Sequence, residues 1–133
     1  MSQRAQFLST TLPLLPGTPL QPLGDDYEDY LVPITSKADF AAKIQGDSME
    51  PWIHDGDIVL IERQPIENGD VGLFFIDGDM KCKQYYQAPD GIVRLLSLNR
   101  NRADADTSIA PDSGITFRCF GRILMEHRPP LAI

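Results

Sequence analysis

The sequence predicts a mainly β fold, a strongly bent sheet or partial barrel, with a proline-rich arm before it. The chain has 133 residues, which is enough for one domain with one core. From Ala38 onward, short apolar runs alternate with turn-forming segments, and no window keeps a helical apolar period beyond about two turns. Five of the eleven prolines lie in the first 35 residues, where they disfavour helix and the interior of a sheet.

The elements follow in order along the chain. Residues 1–35 are interpreted as an extended arm or linker, because "LPLLPGTPLQPLGDDYEDYLVP" combines prolines with an acidic cluster. Residues 36–133 are predicted to form the folded domain. Its predicted strands are "DFAAKI", "DIVLIER", "VGLFFID", "MKCKQYY", "IVRLLSL" and "ITFRCFGRILME". The segments between them, such as "HDGD", "ENGD" and "PDSG", are rich in residues that tolerate tight turns.

Composition excludes several classes of protein. Hydrophobic residues make up 42% and charged residues 23%, as in an average globular protein. Twelve basic and nineteen acidic residues give a net charge of -7, so the chain alone is not expected to bind DNA. No run approaches the ~20 apolar residues that span a bilayer, so we expect no membrane anchor. A cytoplasmic location is expected instead from the two cysteines, which are typical of reduced thiols.

The two cysteines, Cys82 and Cys119, lie 37 residues apart, without the spacing of a zinc site or a redox pair. Both stand in apolar runs, which is typical of reduced, buried thiols. We expect neither a metal nor a cofactor.

One candidate nucleophile is Ser48 in "GDSMEPWIHDGD", which follows a predicted strand and Gly46. That position can present a hydroxyl beside backbone N–H groups, as acyl transfer requires. From the residues alone, a serine that belongs to a turn or caps a short helical turn is the commoner interpretation. His54 is too near in sequence to be a base held on a separate element, and His127 lies in a terminal segment without other catalytic groups.

A candidate base comes from "DMKCKQYY", where Lys81 and Lys83 share one face of a predicted strand. An arbitrary strand with this pattern would be a polar, solvent-facing edge. A lysine base must instead be neutral, and with an ordinary pKa of ~10.4 this requires surroundings hostile to ammonium. The neighbouring apolar runs make such surroundings plausible.

The stretch "ADFAAKIQGDSMEPWIHDGDIVLIERQPIENGDVGLFFIDGDMKCKQYY" resembles the catalytic domain of LexA-type self-cleaving repressors, which include LexA, lambdoid phage repressors and UmuD. The likeness runs from about Leu12 to Leu124 and includes G-D-S-M-E-P, D-G-D before an apolar strand, and N-G-D before another. It implies the LexA/signal-peptidase type of fold. It also implies that Ser48 is the nucleophile and that Lys83, in register through "C-K-Q-Y", is its general base, with Lys81 as a neighbour. The backbone N–H groups of Asp47 and Ser48 would form the oxyanion hole.

The resemblance further implies the C-terminal regulatory domain of a transcriptional repressor that cuts itself in an SOS-type stress response. Expected partners are a second copy of the chain, through strands around "TFRCFGRILME", and a RecA-type activating filament. DNA would be bound only through an N-terminal helix-turn-helix domain, which does not precede the catalytic part in this sequence.

The sequence differs from the family in its cleavage region. Family members usually cut an Ala-Gly bond, whereas the corresponding segment here offers only Pro16-Gly17 and Leu23-Gly24. Self-cleavage of the chain as given is therefore in question. A non-proteolytic dimerisation module with the same fold is the main alternative. A signal-peptidase relative is a weaker alternative, because no membrane segment is present.

Overall fold

The computed structural model describes all of residues 38–133 and the backbone of residues 4–11 and 29–31. The described residues form nine strands and one 3₁₀ helix, Arg100–Ala105. The strands are β1 (Arg4–Thr11), β2 (Asp29–Leu31), β3 (Phe40–Gln45), β4 (Ile58–Glu62), β5 (Val71–Ile76), β6 (Asp79–Gln87), β7 (Val93–Leu96), β8 (Thr107–Ile109) and β9 (Arg118–Ile123). The mainly β prediction is confirmed.

The sheet bends until two of its distant strands meet. Its strand order is β2-β1-β3-β4-β9-β5-β6-β7-β8, and β1 also pairs with β6 through Arg4 and Lys81. All of its pairings are antiparallel except β1 with β2. The predicted bent sheet or partial barrel is therefore confirmed. This closure brings the end of β3 towards β6, and these two strands carry the candidate site.

Six of the nine strands coincide with the six predicted runs, and three do not: β1 and β2 lie in the predicted arm, and β8 lies in a segment without a predicted strand. β8 has three residues, Thr107–Ile109, and only one of them is buried. A strand this short carries too little alternation to be recognised in a sequence, and it forms here because β7 offers it a partner.

The core consists of two clusters. One contains Ile44, Met49, Leu73 and Cys82, and the other contains Phe74, Ile76, Leu95 and Ile109. Because Leu73 and Phe74 are consecutive in β5, their side chains point to opposite faces of the strand. β5 thus has buried side chains on both faces, which explains most of the apolar run "VGLFFI", although Phe75 is exposed.

The last strand, β9, lies inside the sheet. It pairs with β4 on one side and with β5 on the other. Both edges of this strand are thus paired within the chain, so a second copy cannot add to β9 edge to edge. That the segment "TFRCFGRILME" takes part in a homodimer stays a prediction. In the described sheet the outermost strands are β2 and β8.

The predicted arm, residues 1–35, is described only in part. β1 and β2 lie within it and pair with each other, and β1 also pairs with β3. Pro16-Gly17 and Leu23-Gly24 lie outside the described residues, and a boundary near residue 35 stays a prediction. Among the residues that the structure describes, no helix is long and apolar enough to cross a membrane.

Candidate active site

Ser48 lies in a tight turn that starts directly after β3. Gly46 has a positive φ of 99°, a conformation that glycine adopts without strain, and it turns the chain out of the strand. Its N–H donates to the Asp55 carboxylate over 2.8 Å. The N–H groups of Glu50 and Ile53 then donate to the carbonyls of Asp47 and Met49.

The side chains of the turn fix its position. Met49 is fully buried in the first core cluster, so its side chain fixes the turn to the core. Ser48 is also buried, at 0% exposure. The turn after β3, where the sequence predicts the candidate nucleophile, therefore holds the Ser48 hydroxyl inside the protein.

Lys83 lies in the middle of β6 and is fully buried. Its Nζ is 3.4 Å from Ser48 Oγ and 2.9 Å from Ser97 Oγ. Lys81, two residues earlier, is half-buried. The structure thus brings together the serine and the lysine that the family register selects.

Burial lowers the pKa of Lys83 from 10.5 to about 8, because an ammonium group loses hydration inside the protein. The thiol of Cys82 acts in the opposite direction and raises this pKa. The positive charge of Lys81 lowers it further, while the carboxylates of Asp106 and Asp104 raise it. With a pKa of about 8, roughly one amine in ten is neutral at pH 7.

Ser97 is a site residue that the sequence did not reveal. It directly follows β7 and is fully buried. Its backbone is held from both sides, since its N–H donates to Asp106 Oδ1 over 2.7 Å and its carbonyl accepts from Arg100 Nη1 over 2.9 Å. Arg100 and Asp106 also form an ion pair of 3.1 Å. The only signal in the sequence was a serine that ends the apolar run "IVRLL".

Asn99 is the second site residue that the sequence did not reveal. Its backbone N–H donates to the Ser48 carbonyl over 2.9 Å, and its side-chain Nδ2 donates to the Asp47 carbonyl over 3.0 Å. Its Oδ1 accepts from the N–H of Asn101 and caps the 3₁₀ helix. In the sequence, "NRNR" predicts only a turn, because the sequence alone does not show what an asparagine will contact.

The two predicted oxyanion residues, Asp47 and Ser48, open the turn. The Asp47 side chain is exposed, so any role of this residue at the centre of the site would come through its backbone. The assignment of the two N–H groups stays a prediction.

The other reactive side chains lie apart from this centre. His54 is exposed and pairs through Nδ1 with the Glu50 carboxylate, and His127 is also exposed. Cys82 is buried, and burial raises the pKa of its thiol to about 12. Cys119 is only half-buried, which corrects the expectation that both thiols are buried; both are free. In the described part of the chain, no group of three His, Cys, Asp or Glu residues could hold a metal ion.

Comparison with known proteins places this chain in a family. LexA repressors are similar over about 60 residues: 43% identity over 63 residues in Thermotoga petrophila, 33% over 63 in Carboxydothermus hydrogenoformans and 45% over 62 in Streptomyces coelicolor. These matches cover 46%, 45% and 45% of this chain, but only 32%, 31% and 26% of the respective repressors. The chain thus spans about a third or less of the length of these relatives. The family described as Peptidase S24-like matches residues 16–123, most of the sequence, and the chain belongs to this family.

Proposed function

We propose that this chain is the C-terminal regulatory domain of a LexA-like or phage-type repressor and a serine endopeptidase with a Ser48–Lys83 dyad. Membership of the Peptidase S24-like family and the LexA relatives support a regulatory domain with a serine peptidase kind of activity. One observation carries the finer assignment: a fully buried amine lies 3.4 Å from a fully buried serine hydroxyl. Burial of an unpaired ammonium group is unfavourable, which favours the neutral form that a base needs.

The proposed reaction has two acyl-transfer steps. Neutral Lys83 accepts the proton of Ser48 while Oγ attacks the carbonyl carbon of the scissile bond. The N–H groups of Asp47 and Ser48 stabilise the negative oxygen of the tetrahedral intermediate. Lys83 then donates its proton to the leaving amine, and the peptide bond breaks. Water hydrolyses the resulting ester on Ser48, with Lys83 again acting as the base.

The biological setting of the proposal follows from the relatives named LexA repressor. The substrate bond lies in the same polypeptide, and the cut is made in the cytoplasm in an SOS-type response, with a RecA-type filament as the activator. The domain forms a homodimer. DNA contact comes from a helix-turn-helix domain of a longer protein, since the net charge of -7 opposes DNA binding by this chain.

A non-proteolytic dimerisation module is the second candidate function. The specific observation that favours it is the lack of an Ala-Gly pair in the segment where family members are cut. The two candidates differ in whether Ser48 reacts.

A fluorophosphonate probe separates them, because it needs no peptide substrate. Ser48 Oγ would form a bond to phosphorus, fluoride would leave, and Lys83 would accept the proton. We expect one adduct by intact-mass spectrometry, absent in Ser48→Ala and formed at least about a hundredfold more slowly in Lys83→Ala. The matched control, His54→Ala, should react like the parent chain. Absence of labelling in the parent chain, or equal labelling of Ser48→Ala, would contradict the peptidase proposal and favour the module.

A further inference from the structure

We propose that Ser97–Asn99 is one positioning segment that acts on both halves of the active site: Ser97 holds the lysine base, and Asn99 holds the peptide unit that carries the Ser48 N–H of the oxyanion hole. The inference rests on the proposed peptidase function and adds residues to which that proposal gives no role. Three successive residues of this segment contact the dyad or its turn.

The first contact concerns the base. A lysine amine stands on a flexible four-carbon stem, so burial alone does not aim it. Ser97 Oγ, at 2.9 Å, lies nearer to Lys83 Nζ than Ser48 Oγ does at 3.4 Å. Because Asp106 and Arg100 hold both backbone groups of Ser97, its hydroxyl is a fixed partner for the amine. Ser97 therefore keeps the amine beside the nucleophile.

The second contact concerns the oxyanion hole. A peptide unit is planar and trans, so its carbonyl and its N–H point in opposite directions. Asn99 Nδ2 holds the Asp47 carbonyl, and this determines the direction of the Ser48 N–H in the same peptide unit. The Asn99 N–H holds the Ser48 carbonyl and so fixes the following unit. Two adjacent peptide planes of the nucleophile turn are thus oriented by one residue.

The residue between them joins the segment to the turn. Leu98 is buried, and its N–H lies 3.5 Å from Met49 Sδ, directly beside the nucleophile in sequence. The segment begins where β7 ends, and β7 pairs with β6 at Gln84, one residue after Lys83. The base and its positioning segment are therefore carried by hydrogen-bonded neighbouring strands, which limits their relative movement.

The test measures the fluorophosphonate labelling rate of Ser48 against pH. Ser97→Ala removes an acceptor that stabilises the ammonium form, so the midpoint should move to lower pH and the plateau rate should fall about tenfold. Other groups that act on the Lys83 amine, Lys81, Cys82, Asp104 and Asp106, remain in that variant. Ser97→Thr keeps a hydroxyl and should restore the midpoint.

Asn99→Ser should give a different signature. Serine still caps the 3₁₀ helix but has no amide to hold the Asp47 carbonyl, so the plateau rate should fall at least about tenfold with an unchanged midpoint. Asn101→Ser and Ser108→Ala make similar changes at exposed positions and should behave like the parent chain. Asn99→Asp, which keeps the shape of the side chain but lacks its donor, should also lower the plateau rate.

The outcomes separate this inference from the proposed function. Parent-like profiles in Ser97→Ala and Asn99→Ser would overturn the positioning role while the dyad stands. Equal falls in labelling rate in both variants, with pH midpoints identical to that of the parent chain, would also overturn it. General loosening of the fold would give that result. A parent chain that is not labelled at Ser48 would instead refute the dyad, and the positioning role with it.

Discussion

Lys83 combines two effects that oppose each other. Its complete burial lowers its pKa to about 8 and so favours the neutral amine that a base requires. The same burial destabilises the folded protein at neutral pH, because folding must desolvate an ammonium group that water would otherwise hydrate. The proposed reactivity of the site and the stability of the domain are therefore coupled through one side chain.

Replacing this amine should stabilise the protein. We expect Lys83→Met to raise the free energy of unfolding at pH 7 by about 2 kcal/mol, measured by urea denaturation. The unfolded chain, with a lysine pKa of 10.5, binds more protons than the folded chain between pH about 8 and 10.5. The free energy of unfolding of the parent chain therefore rises with pH through this window. The difference in stability between Lys83→Met and the parent chain should shrink there.

The matched control is Lys43→Met on β3, since Lys43 is exposed. It should change the free energy of unfolding by less than about 0.5 kcal/mol. A Lys83→Met variant that is less stable than the parent at pH 7 would show that the contacts of the amine outweigh its desolvation.

At the scale of single elements, β9 depends on a glycine. The pairing of β5 with β9 shifts register between Leu73 and Phe74, which pair with Gly121 and Cys119. Phe120 is the extra residue, so β9 carries a bulge beside Gly121. The φ of Gly121 is 148°, and a Cβ there would lie 2.5 Å from the Glu62 carbonyl oxygen. This close approach of two backbones lets β9 pair with both neighbours.

We expect Gly121→Ala to destabilise the domain by about 2–4 kcal/mol, because the backbone of β4 cannot move aside without breaking its pairing with β9. Urea denaturation measures the loss. Gly78→Ala is the control: its φ of 81° is also positive, but no atom lies within 4 Å of the added Cβ. It should be destabilised by only about 1 kcal/mol, and equal losses in both variants would show that steric contact at Gly121 is unimportant.

At the scale of the whole molecule, the site is assembled from three separate parts of the chain. Ser48 follows β3, Lys83 lies in β6 and Ser97 follows β7. The bend of the sheet brings β3 and β6 together, since β1 pairs with both. The proximity of Ser48 and Lys83 is therefore a property of the bent sheet, and the proposed peptidase still needs a bond to cut.

For that reason we expect the 133-residue chain to stay intact during overnight incubation at pH ~10, although the amine is then neutral. Proline lacks an N–H and has a fixed φ, so Pro16 would fit poorly if the site binds its substrate as an extended strand. Intact-mass spectrometry tests this, and a species cut between Leu12 and Gly24 would contradict it.

A single substitution tests whether Pro16 protects this segment from cleavage. Pro16→Ala places the pair Ala-Gly at 16–17. We expect this variant to be cut there more readily than the parent as pH rises, and Ser48→Ala in the same background to stay intact. Equal resistance of Pro16→Ala would show that proline is not what protects the segment.

The sequence by itself determined the fold class, because apolar alternation and turn residues are local signals that six of the nine strands carry. It also identified Ser48 and Lys83 as candidates, since G-D-S-M-E-P and the lysine hairpin occur in family-like order. It did not identify β1, β2 or β8 as strands, the last because three residues carry too little periodicity. It could not show that both edges of β9 are paired, because strand neighbours are not adjacent in sequence.

Only the tertiary structure decided what surrounds Ser48 and Lys83. Ser97 and Asn99 lie 14 residues from Lys83 and 52 from Asp47, respectively, and neither has a distinctive local pattern. Their contacts depend on the bend of the sheet and on the path of the chain after β7. The lowered pKa of Lys83 has the same origin, because desolvation depends on every element packed around the amine. A sequence specifies which groups a chain carries, whereas distance and burial arise only when the folded chain brings them together.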